Sequence, residues 1–552
     1  MDTNEFNIAE LVNQHALKYP FQRALVYPSG QTQSGDIQYT QLTFQQAQER
    51  ITTYAQAFLR AGIKKGDRVC TFVTLSLDFM PIIFALYRVG AIVVLIDPGM
   101  GRSGLLSCVE RIAPVAMVGV PKAMIATRLF PSKFKSLKIK VTVGGSAWLW
   151  GGTTLEALVN QGGDLYPIQA THRDDEASIL FTSGSTGPAK GVRYTHGIFE
   201  AQTKHIQQMY GFKRGQIDLP CFPLFGLFSL AMGMTVVIPD MDPTKPAHAD
   251  PKKLIRAITD QGCTSAFASP SLWKAFARHC LENQVKLPSL KCILSAGAPI
   301  PPALHQDFQH ILEPGVEVFT PYGATESLPV ASIGSFEIIN ETAALTDQGL
   351  GTCVGKLAPN MTVSIVEITD KVISNWSDVV LLKQGEIGEI CVSGPVVTSE
   401  YKEEPEQTKL SKILQDDVIW HRMGDVGYLD PQGRLWFCGR KAHRVKLTNG
   451  ETLFPVPCEA IFNRHPKVFR SALVGVNGQA VIILELEHGQ VIDAQMVSEL
   501  YVLSQQSKRT TGIIYFLCHD SFPVDVRHNA KINRPILANW AANQSLRSLV
   551  AG

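Results

Sequence analysis

Hydrophobic and polar positions alternate along this chain with two different periods. From residue 42 to residue 350, stretches with helical spacing such as LTFQQAQERITTYAQAFLRAG alternate with short β-rich runs such as RVCTFVTL, AIVVLID and ASILFTS. This alternation predicts parallel α/β layers. After about residue 360 the helical stretches become rare, and MTVSIVEI, GEICVSG and GRLWFCGR predict a small antiparallel β unit.

The segment after Arg440 predicts a further compact unit. AIFNRHPKVFRSALVGV and VIILELE combine helical and strand patterns, which is typical of a small α+β domain. The charged stretch GRKAHR follows a β run and contains nothing that must be buried, so the domain boundary is expected there. The predicted organisation is an N-terminal domain over residues 1–438, a hinge at 439–442 and a C-terminal domain over 443–552.

Two apolar runs are nearly long enough to cross a bilayer. FMPIIFALYRVGAIVVLI, residues 79–96, is divided by Arg88 and Gly90, and its second half is β-branched. A buried helix followed by a buried strand is therefore favoured over a membrane span. The run at residues 224–239 is interpreted in the same way, so no transmembrane segment is expected.

Composition then limits the class of protein. A chain of 552 residues with 45% hydrophobic and 18% charged residues is ordinary for a globular enzyme of several domains. The net charge of +2 gives no reason to expect nucleic acid as a partner. Eleven scattered cysteines without a CxxC pair argue against disulfides and against a structural zinc site. A cytoplasmic location fits this cysteine usage best. Peripheral contact with a membrane is left open. The N-terminus has no signal-peptide pattern.

A loop of small and hydroxylated residues, FTSGSTGPAKGV at 181–192, suits an oxyanion, above all a polyphosphate. A Walker-type loop would need Gly-Lys-Ser/Thr opening a helix, but Ala189 precedes Lys190, and the residues that follow predict a strand. A flexible surface turn is the alternative. The candidate donors and glycines are Thr182, Ser183, Gly184, Ser185, Thr186 and Gly187.

Six motifs in fixed order resemble those of the adenylate-forming superfamily, which includes acyl-CoA synthetases. They are the glycine loop, SAGAPI at 295–300, PYGATES at 321–327, HRMGDVGYLD at 421–430, GRKAHRVK at 439–446 and AKINRPIL at 530–537. The resemblance covers essentially the whole chain. It implies two layered α/β subdomains and a small β-barrel in the large domain, followed by a mobile C-terminal lid, and formation of an acyl-adenylate from ATP, Mg²⁺ and a carboxylic acid.

The resemblance also implies roles for individual residues. The loop would hold the β- and γ-phosphates through Ser183, Thr186 and Lys190. In PYGATES, Tyr322 would stack near adenine, Thr325 would contact the α-phosphate and Glu326 would bind magnesium. Without the neighbouring motifs, PYGATES would read as a turn with a solvated glutamate.

The remaining motifs complete the expected site. Asp425 would accept both ribose hydroxyls, although it could instead cap a turn. Arg440 would contact the ribose or phosphates, and the mobile ammonium of Lys531 would bridge the attacking carboxylate and the phosphate, although a lone lysine is usually solvated. The catalytic set is thus Lys531, Glu326, Thr325 and Lys190, and the nucleotide set adds Gly297, Ala298, Tyr322, Gly323, Asp425 and Arg440 to the loop.

Some positions depart from the family pattern. Gly226 stands where many relatives have a histidine beside the acyl pocket, and Ala442 replaces a hinge residue that is usually charged. Stretches such as DPGMGR and PCEAIFNRHP resemble the β-lactone synthetases of bacterial long-chain olefin biosynthesis. The apolar acyl pocket is predicted from one run, with plain core packing as an equal alternative: Phe222, Phe225, Gly226, Leu227, Phe228 and Met232.

Three functions remain open at this point. The first is a β-lactone synthetase that acts on a 3-hydroxy fatty acid, with assembly alongside other olefin-pathway enzymes implied by the resemblance. The second is a fatty-acyl ligase that transfers the acyl group to coenzyme A or a carrier protein. The third is a nucleotide-binding scaffold without activity, which only the departures support.

Overall fold

The computed structural model describes residues 4–163, 167, 169–181, 189–524 and 531–544. The predicted loop residues Thr182 to Gly187 lie outside the described residues. In the described part, the α-helices are, in chain order, α1 (Ala9–Lys18), α2 (Phe44–Arg60), α3 (Phe79–Val89), α4 (Gly101–Ile112), α5 (Pro121–Leu129), α6 (Leu155–Asn160), α7 (His196–Tyr210), α8 (Pro223–Ala231), α9 (Pro251–Gln261), α10 (Pro270–Glu282), α11 (Pro302–Ile311), α12 (Ser335–Glu337), α13 (Ala343–Asp347), α14 (Pro405–Ser411), α15 (Pro455–Phe462), α16 (Ala494–Gln505) and α17 (Arg534–Ala542).

The strands form two large sheets and two small ones. They are, in chain order, β1 (Arg23–Gln31), β2 (Ile37–Thr43), β3 (Arg68–Phe72), β4 (Ile92–Leu95), β5 (Ala116–Gly119), β6 (Ile139–Thr142), β7 (Thr153–Thr154), β8 (Glu176–Phe181), β9 (Gly191–Thr195), β10 (Ile217–Pro220), β11 (Thr235–Val237), β12 (Ser265–Ala268), β13 (Cys292–Ser295), β14 (Glu317–Ala324), β15 (Ser327–Gly334), β16 (Thr352–Leu357), β17 (Thr362–Val366), β18 (Gly388–Ser393), β19 (Tyr401–Lys402), β20 (Lys412–Gln415), β21 (Val418–Leu429), β22 (Leu435–Arg440), β23 (Val445–Lys446), β24 (Thr452–Leu453), β25 (Val468–Val476), β26 (Gln479–Leu486) and β27 (Tyr515–Cys518).

The predicted α/β layering is confirmed in the large part of the chain. One sheet has the order β19-β9-β8-β4-β3-β5-β6-β7, and the other runs from β17 through β18, β21, β22, β16, β15, β14, β13, β12, β10, β11 and β1 to β2. Strands β10 to β14 pair in parallel, whereas β15 to β18, β21 and β22 pair antiparallel. The antiparallel unit expected after residue 360 is present, and it continues the second sheet.

Local sequence explains where these elements begin and end. Helix α2 starts with a capping box, in which the Thr43 side chain accepts from Gln46 N and the Gln46 side chain accepts from Thr43 N. Helix α3 ends at Gly90, which has the left-handed conformation that glycine adopts at low cost. Nearly every side chain of α3 is buried, and strand β4 follows directly. Residues 79–96 are thus a buried helix and a buried strand.

The run at residues 224–239 has the same structure, with helix α8 followed by strand β11. In the part of the chain that the structure describes, no helix combines the length and the apolar character that a membrane crossing needs.

The C-terminal segment is the predicted α+β unit. Strands β25, β26 and β27 form a sheet, and successive side chains of β26 enter two separate apolar clusters. One cluster contains Phe462 and Leu500 from α15 and α16, and the other contains Leu537 and Ala541 from α17. The alternation of side chains along a strand therefore gives this sheet a helical layer on each face.

Candidate active site

Three polar side chains from three strands meet beside the end of β22. Asp425 on β21 lies directly opposite Arg440 on β22, and Arg440 Nη1 is 3.0 Å from Asp425 Oδ1. Tyr322 on β14 donates a hydrogen bond of 2.7 Å to Asp425 Oδ2. The structure thus brings together residues from PYGATES, HRMGDVGYLD and GRKAHRVK, as the sequence predicts.

Burial and charge act in opposite directions on this group. Asp425 is only 4% exposed, and burial raises the pKa of its carboxyl while Arg440 and the Tyr322 hydroxyl lower it. The charge of Asp425 raises the pKa of Arg440. Burial, together with the adjacent Asp425 charge, raises the pKa of Tyr322 well above its ordinary value. Tyr322 is therefore a hydrogen-bond donor here across the physiological pH range.

Asp425 has the acceptor capacity that a ribose site needs. Its Oδ1 atom is buried, and no donor in the described residues meets hydrogen-bond geometry toward it, although Arg440 neutralises the charge. A carboxylate oxygen can accept more than one hydrogen bond, so a bound hydroxyl could add to the Arg440 contact. The buried carboxylate of Asp425 therefore fits the binding of a nucleotide sugar better than it fits the capping of a turn.

A second group surrounds Glu326, in the turn between β14 and β15. Tyr401, on the short strand β19, donates a hydrogen bond of 2.6 Å to Glu326 Oε1. Lys190 Nζ lies 4.9 Å from the centre of the Tyr401 ring, in cation–π geometry. Tyr401 therefore connects the lysine that ends the glycine loop to the glutamate of PYGATES.

The backbone of Glu326 is held from the same side. Thr398 donates to Glu326 O through both its N–H, at 2.9 Å, and its hydroxyl, at 3.1 Å. Lys412 Nζ in turn donates to the carbonyl and hydroxyl oxygens of Thr398. Burial lowers the pKa of Lys412 to about 7, and the Glu326 charge opposes that shift. These contacts fix Glu326 at the end of a short chain of buried polar groups.

Glu326 fits the predicted magnesium role. Within the described residues, no hydrogen bond to its Oε2 atom is present, and the carboxylate is half-buried. No group of three or more potential ligating side chains occurs in the described part of the chain. Magnesium commonly binds one or two carboxylates and completes its octahedron with substrate phosphates and water. One carboxylate beside a phosphate-type loop is consistent with that pattern.

Glycines make room at two edges of this region. Gly297, just after β13, has φ +100°, a conformation that side chains other than glycine's rarely adopt. A Cβ on Gly323 would lie 2.5 Å from Ser327 O, so the PYGATES turn requires glycine there. The adjacent Ala298 is half-buried. The contacts of Gly297 and Ala298 with the nucleotide stay a prediction.

The predicted acyl-pocket residues lie on and beside α8, and most are buried. Phe225 stacks on Phe267 with ring centres 4.5 Å apart, and Phe228 packs between Phe225 and Phe199. Leu227 and Phe228 also line a small apolar cavity with Phe199, with Ile8 just before α1, and with residues of α3. Phe222 and Met232, at the two ends of α8, belong to the same aromatic cluster as Phe225. The run therefore packs as core and also borders a cavity.

Gly226 has a packing reason that the sequence did not reveal. A Cβ at this position would lie 2.3 Å from Met80 Cε on α3 and 3.1 Å from Pro220 Cγ. The larger histidine of many relatives would not fit against α3 without displacement of Met80. A side chain at position 226 would therefore require the flexible end of Met80 to move.

The C-terminal motif is anchored by Arg534. Arg534 Nη2 donates to both carboxylate oxygens of Glu459, at 2.7 and 2.6 Å, which ties the start of α17 to α15. Lys531 is half-buried and immediately precedes Ile532, which bridges to Val524. The structure places Lys531 on the small C-terminal unit, and its catalytic role stays a prediction.

The segment after Arg440 is attached to the large domain. Lys441 Nζ lies 2.9 Å from Glu389 Oε1 and 3.1 Å from Thr369 O. Burial, together with the charges of Arg534 and Arg440, lowers the pKa of His443 to about 4. The predicted hinge thus lies between charged groups of both units.

Sequence reasoning missed Tyr401, Thr398 and Lys412. They occur in VVTSEYKEEPEQTKLSK, which reads as a polar turn region without helical or strand period. The sequence contains one indirect signal. After the Gly394-Pro395 dipeptide, which is typical of a turn, the pair Tyr401–Lys402 can form a short strand at a sheet edge. Tyr194 was also missed, and its hydroxyl donates to Thr325 O.

The fold is that of an adenylate-forming type of enzyme, with a large α/β part followed by a small α+β part. The chain belongs to the family of AMP-binding enzymes, whose family model matches residues 12–402.

Two relatives align with nearly the whole chain. An olefin β-lactone synthetase of Xanthomonas campestris pv. campestris is 41% identical and covers 98% of each chain. An olefin β-lactone synthetase of Stenotrophomonas maltophilia is 40% identical over 97% of this chain and 98% of its own. An acyl-CoA ligase of Ajellomyces capsulatus is 26% identical over 90% and 82%.

Solved structures agree on the fold. The amide bond synthetase McbA from Marinactinospora thermotolerans superposes with a TM-score of 0.77 at 21% identity, over 97% of this chain and 99% of its own. The o-succinylbenzoate coenzyme A synthetase of Bacillus subtilis, solved with ATP and a magnesium ion, gives a TM-score of 0.74 at 21% identity, over 96% and 99%. The predicted fold class and superfamily are confirmed.

Proposed function

We propose that this enzyme activates a hydrophobic 3-hydroxy fatty acid with ATP and closes the product to a β-lactone. In the first step, a carboxylate oxygen bonds to the α-phosphorus of ATP and pyrophosphate leaves. In the second step, the 3-hydroxyl oxygen bonds to the acyl carbon, the acyl–phosphate bond breaks, and AMP and a proton are released. The observation that carries this proposal is the 40–41% identity to two olefin β-lactone synthetases over nearly the full chain.

The residues of the site supply what the first step needs. Two anions must approach each other, so the catalyst needs cations, donors and alignment more than it needs a base. Asp425, Arg440 and Tyr322 would bind the ribose and adenine, and Lys190 with the glycine loop would bind the outer phosphates. Glu326 would hold magnesium, which neutralises phosphate charge when bound.

Two further side chains would act at the reacting atoms. Thr325 would contact the α-phosphate, and its backbone is supported by the Tyr194 hydroxyl. Lys531 would bridge the attacking carboxylate and the phosphate once the C-terminal unit closes over the loop. Closure of this kind excludes water, which would otherwise hydrolyse the adenylate.

The proposed mechanism needs a large domain and a lid that are joined by a hinge. Residues 1–438 would form the large domain, 439–442 the hinge and 443–552 the lid. An intramolecular second step needs no external acceptor, so it does not require the lid to rotate and admit a thiol. The Lys441 contacts with Glu389 and Thr369 support a hinge that stays attached to the large domain.

The acyl chain would lie along α8. Phe222 and Phe228 are the half-exposed aromatic residues of this helix region, and Phe225 and Phe267 stack beside them. Enzymes that bind aliphatic chains line their pockets mainly with apolar and aromatic side chains. The substrate class, a long-chain acid, is proposed on this lining and on the names of the relatives.

Location and partners complete the proposal. Ten of the eleven cysteines are buried and all eleven are unpaired, which supports a reducing cytoplasm. Assembly with other enzymes of olefin biosynthesis has the relatives' names as its support.

A second candidate is a fatty-acyl ligase that transfers the acyl group to coenzyme A or a carrier protein. The similarity to an acyl-CoA ligase favours it, but at 26% identity it is the weaker relationship. The scaffold alternative is not favoured, because both relatives at 40–41% identity are named as synthetases and the polar contacts around Asp425 and Glu326 are present.

Product analysis by mass spectrometry tests the proposal. The enzyme is incubated with ATP, magnesium and a synthetic 2-alkyl-3-hydroxy fatty acid, with and without coenzyme A. We expect a product lighter than the acid by one water, formed without the thiol. The matching 2-alkyl acid without the 3-hydroxyl is the control and should stop at the adenylate. If the enzyme formed a thioester, and only in the presence of coenzyme A, the lactone proposal would be wrong and the enzyme would be a fatty-acyl ligase.

A further inference from the structure

Charge is unevenly distributed along the N-terminal domain. From residue 111 to residue 155 the chain contains seven lysines and arginines and no aspartate or glutamate, although the whole chain has a net charge of only +2. This stretch includes α5, strand β6 and the loop that follows β6. The excess of positive charge is therefore local, and the mean composition conceals it.

Apolar side chains are exposed in the same stretch. Trp148 is 80% exposed and Leu129 is 65% exposed, with Ile125 and Leu149 each about two-fifths exposed. A folded protein seldom leaves a tryptophan this exposed, because burying it contributes a large favourable free energy. The residues lie together, since Arg128 Nη1 donates to Leu149 O at 2.7 Å.

Helix α5 presents both kinds of side chain on one face. Lys122, Ile125, Arg128 and Leu129 are exposed, whereas Met124 is buried. The short 3-10 helix after α5 contacts α5 and leads to the exposed Lys135 and Lys138. We call Arg128, Leu129, Lys135, Lys138, Trp148 and Leu149 the basic apolar surface.

Little negative charge offsets this surface. Lys133 pairs with Glu110, and Asp242 lies near enough to Lys122 for its charge to be felt. Lys135 and Lys138 have no ion pair within the described residues. Their positive charges therefore face solvent in the same stretch of chain as the exposed tryptophan.

The basic apolar surface lies away from the candidate active site. Its strand β6 is next to the β7 edge of the first large sheet, whereas β19 and β9, which flank Lys190, form the other edge. A large object could therefore contact the basic apolar surface without covering the nucleotide site.

We propose that the basic apolar surface binds a lipid bilayer that carries anionic headgroups. Lysine and arginine are attracted to the negative surface potential of such a membrane, and tryptophan and leucine insert at the interface between headgroups and acyl chains. A second copy of the chain fits less well, because a two-fold contact would set one basic surface against another. Binding here would hold the enzyme at the bilayer, into which long alkyl chains partition.

Vesicle flotation tests the proposal with the full-length enzyme. Vesicles of phosphatidylcholine alone are compared with vesicles of equimolar phosphatidylcholine and phosphatidylglycerol, at low and high salt. We expect the enzyme to float with the anionic vesicles, and the bound fraction to fall as salt screens the attraction. Equal binding to both vesicle types, or none to either, overturns the proposal.

Matched variants locate the contact. Lys135→Ala with Lys138→Ala should weaken partitioning about 25-fold, since each basic residue near the surface contributes about fivefold. Leu129→Ser with Trp148→Ser should weaken it at least about tenfold through lost apolar insertion. The controls are Lys409→Ala with Lys508→Ala, and Phe21→Ser, which change equally exposed residues elsewhere. Controls that weaken binding as much would overturn the assignment to this surface.

Two further measurements distinguish insertion of Trp148 into the bilayer from a contact between two copies of the chain. Lipids brominated in the acyl chain should quench the fluorescence of the wild-type enzyme more than that of Trp148→Phe, and equal quenching contradicts insertion. Sedimentation velocity reveals any dimer, and a dimer that Trp148→Ser dissociates would assign the surface to a contact between copies instead. None of these readouts depends on whether the product is a lactone or a thioester, so the proposed function can fail independently.

Discussion

Tyr401 donates its phenolic hydrogen to Glu326 across 2.6 Å, although 75 residues separate the two along the chain. The same ring lies under Lys190. One tyrosine thus orients the proposed magnesium ligand and provides a face for the lysine of the glycine loop. The two contacts use different parts of the side chain, so a substitution can separate them.

Tyr401→Phe should lower adenylation while retaining the lysine contact. The ring remains, but Glu326 loses a hydrogen bond to a charged group, which is worth about 1.5–3 kcal/mol. We expect kcat/KM for ATP–pyrophosphate exchange to fall at least about tenfold, most strongly at limiting magnesium. Tyr428→Phe is the control, because its hydroxyl donates to Leu350 O outside the site. Full activity of Tyr401→Phe at every magnesium concentration would show that the hydroxyl does not position Glu326.

Asp425→Asn should weaken ATP binding. The amide keeps the shape of the side chain but removes the charge that balances Arg440 and one acceptor oxygen available to a ribose. We expect KM for ATP to rise about 10- to 100-fold, consistent with loss of a buried charged partner. Titration with a fluorescent ATP analogue measures the binding directly.

The control for this variant is Asp218→Asn. Asp218 is also buried and accepts hydrogen bonds from Ser229 and Ser265, outside the candidate site. It should lower the free energy of unfolding and leave KM for ATP unchanged. If both variants changed KM equally, the effect of Asp425 would be a general consequence of disturbing a buried carboxylate.

The sequence predicts the elements well because local patterns decide them. The capping box at Thr43 and Gln46 starts α2, and the apolar run divided at Gly90 becomes α3 and β4. The family resemblance also names Asp425, Arg440 and Tyr322 as site residues, and the structure brings these three side chains together. Glycine loop residues 182–187 lie outside the described residues, so their contacts stay predictions.

Contacts between residues far apart in the chain could not be predicted from the sequence. Nothing near Lys412 in the chain indicates that its ammonium would be buried against Thr398 or held near Glu326. Gly226 likewise reads as a lost histidine until Met80, from a helix more than a hundred residues earlier, is seen to occupy the space. These features depend on tertiary packing, which a single sequence leaves undetermined.

His305 should make the fold sensitive to acid. It is fully buried on α11, neither ring nitrogen has a hydrogen-bond partner in the described residues, and burial lowers its pKa from 6.5 to about 4. Between these values the unfolded chain binds a proton that the folded chain does not. The contribution of neutral His305 is therefore complete above pH 6.5 and is lost progressively as the pH falls toward 4, by at most about 3 kcal/mol.

His305→Leu should make stability less dependent on pH. We expect the free energy of unfolding in urea to decrease less between pH 6.5 and 4 than in the wild type, and to rise at pH 7 because unpaired buried nitrogens are removed. His310→Leu, an exposed change on the same helix, is the control. The same slope for His305→Leu and the wild type would contradict this source of acid sensitivity.

Lys531→Ala should abolish adenylation and leave ATP binding nearly intact. The predicted ammonium acts on the transition state, in which the carboxylate and phosphate oxygens crowd together, so its loss should slow the step at least about 100-fold. ATP itself would still be bound by Asp425, Arg440 and Tyr322 on the large domain. Lys508→Ala, an exposed change on the same C-terminal unit, is the control. Pyrophosphate exchange measures the chemical step, and equilibrium binding of ATP measures the ground state. Wild-type exchange in Lys531→Ala would remove this lysine from the reaction, and a parallel loss of ATP binding would make it a nucleotide-binding residue.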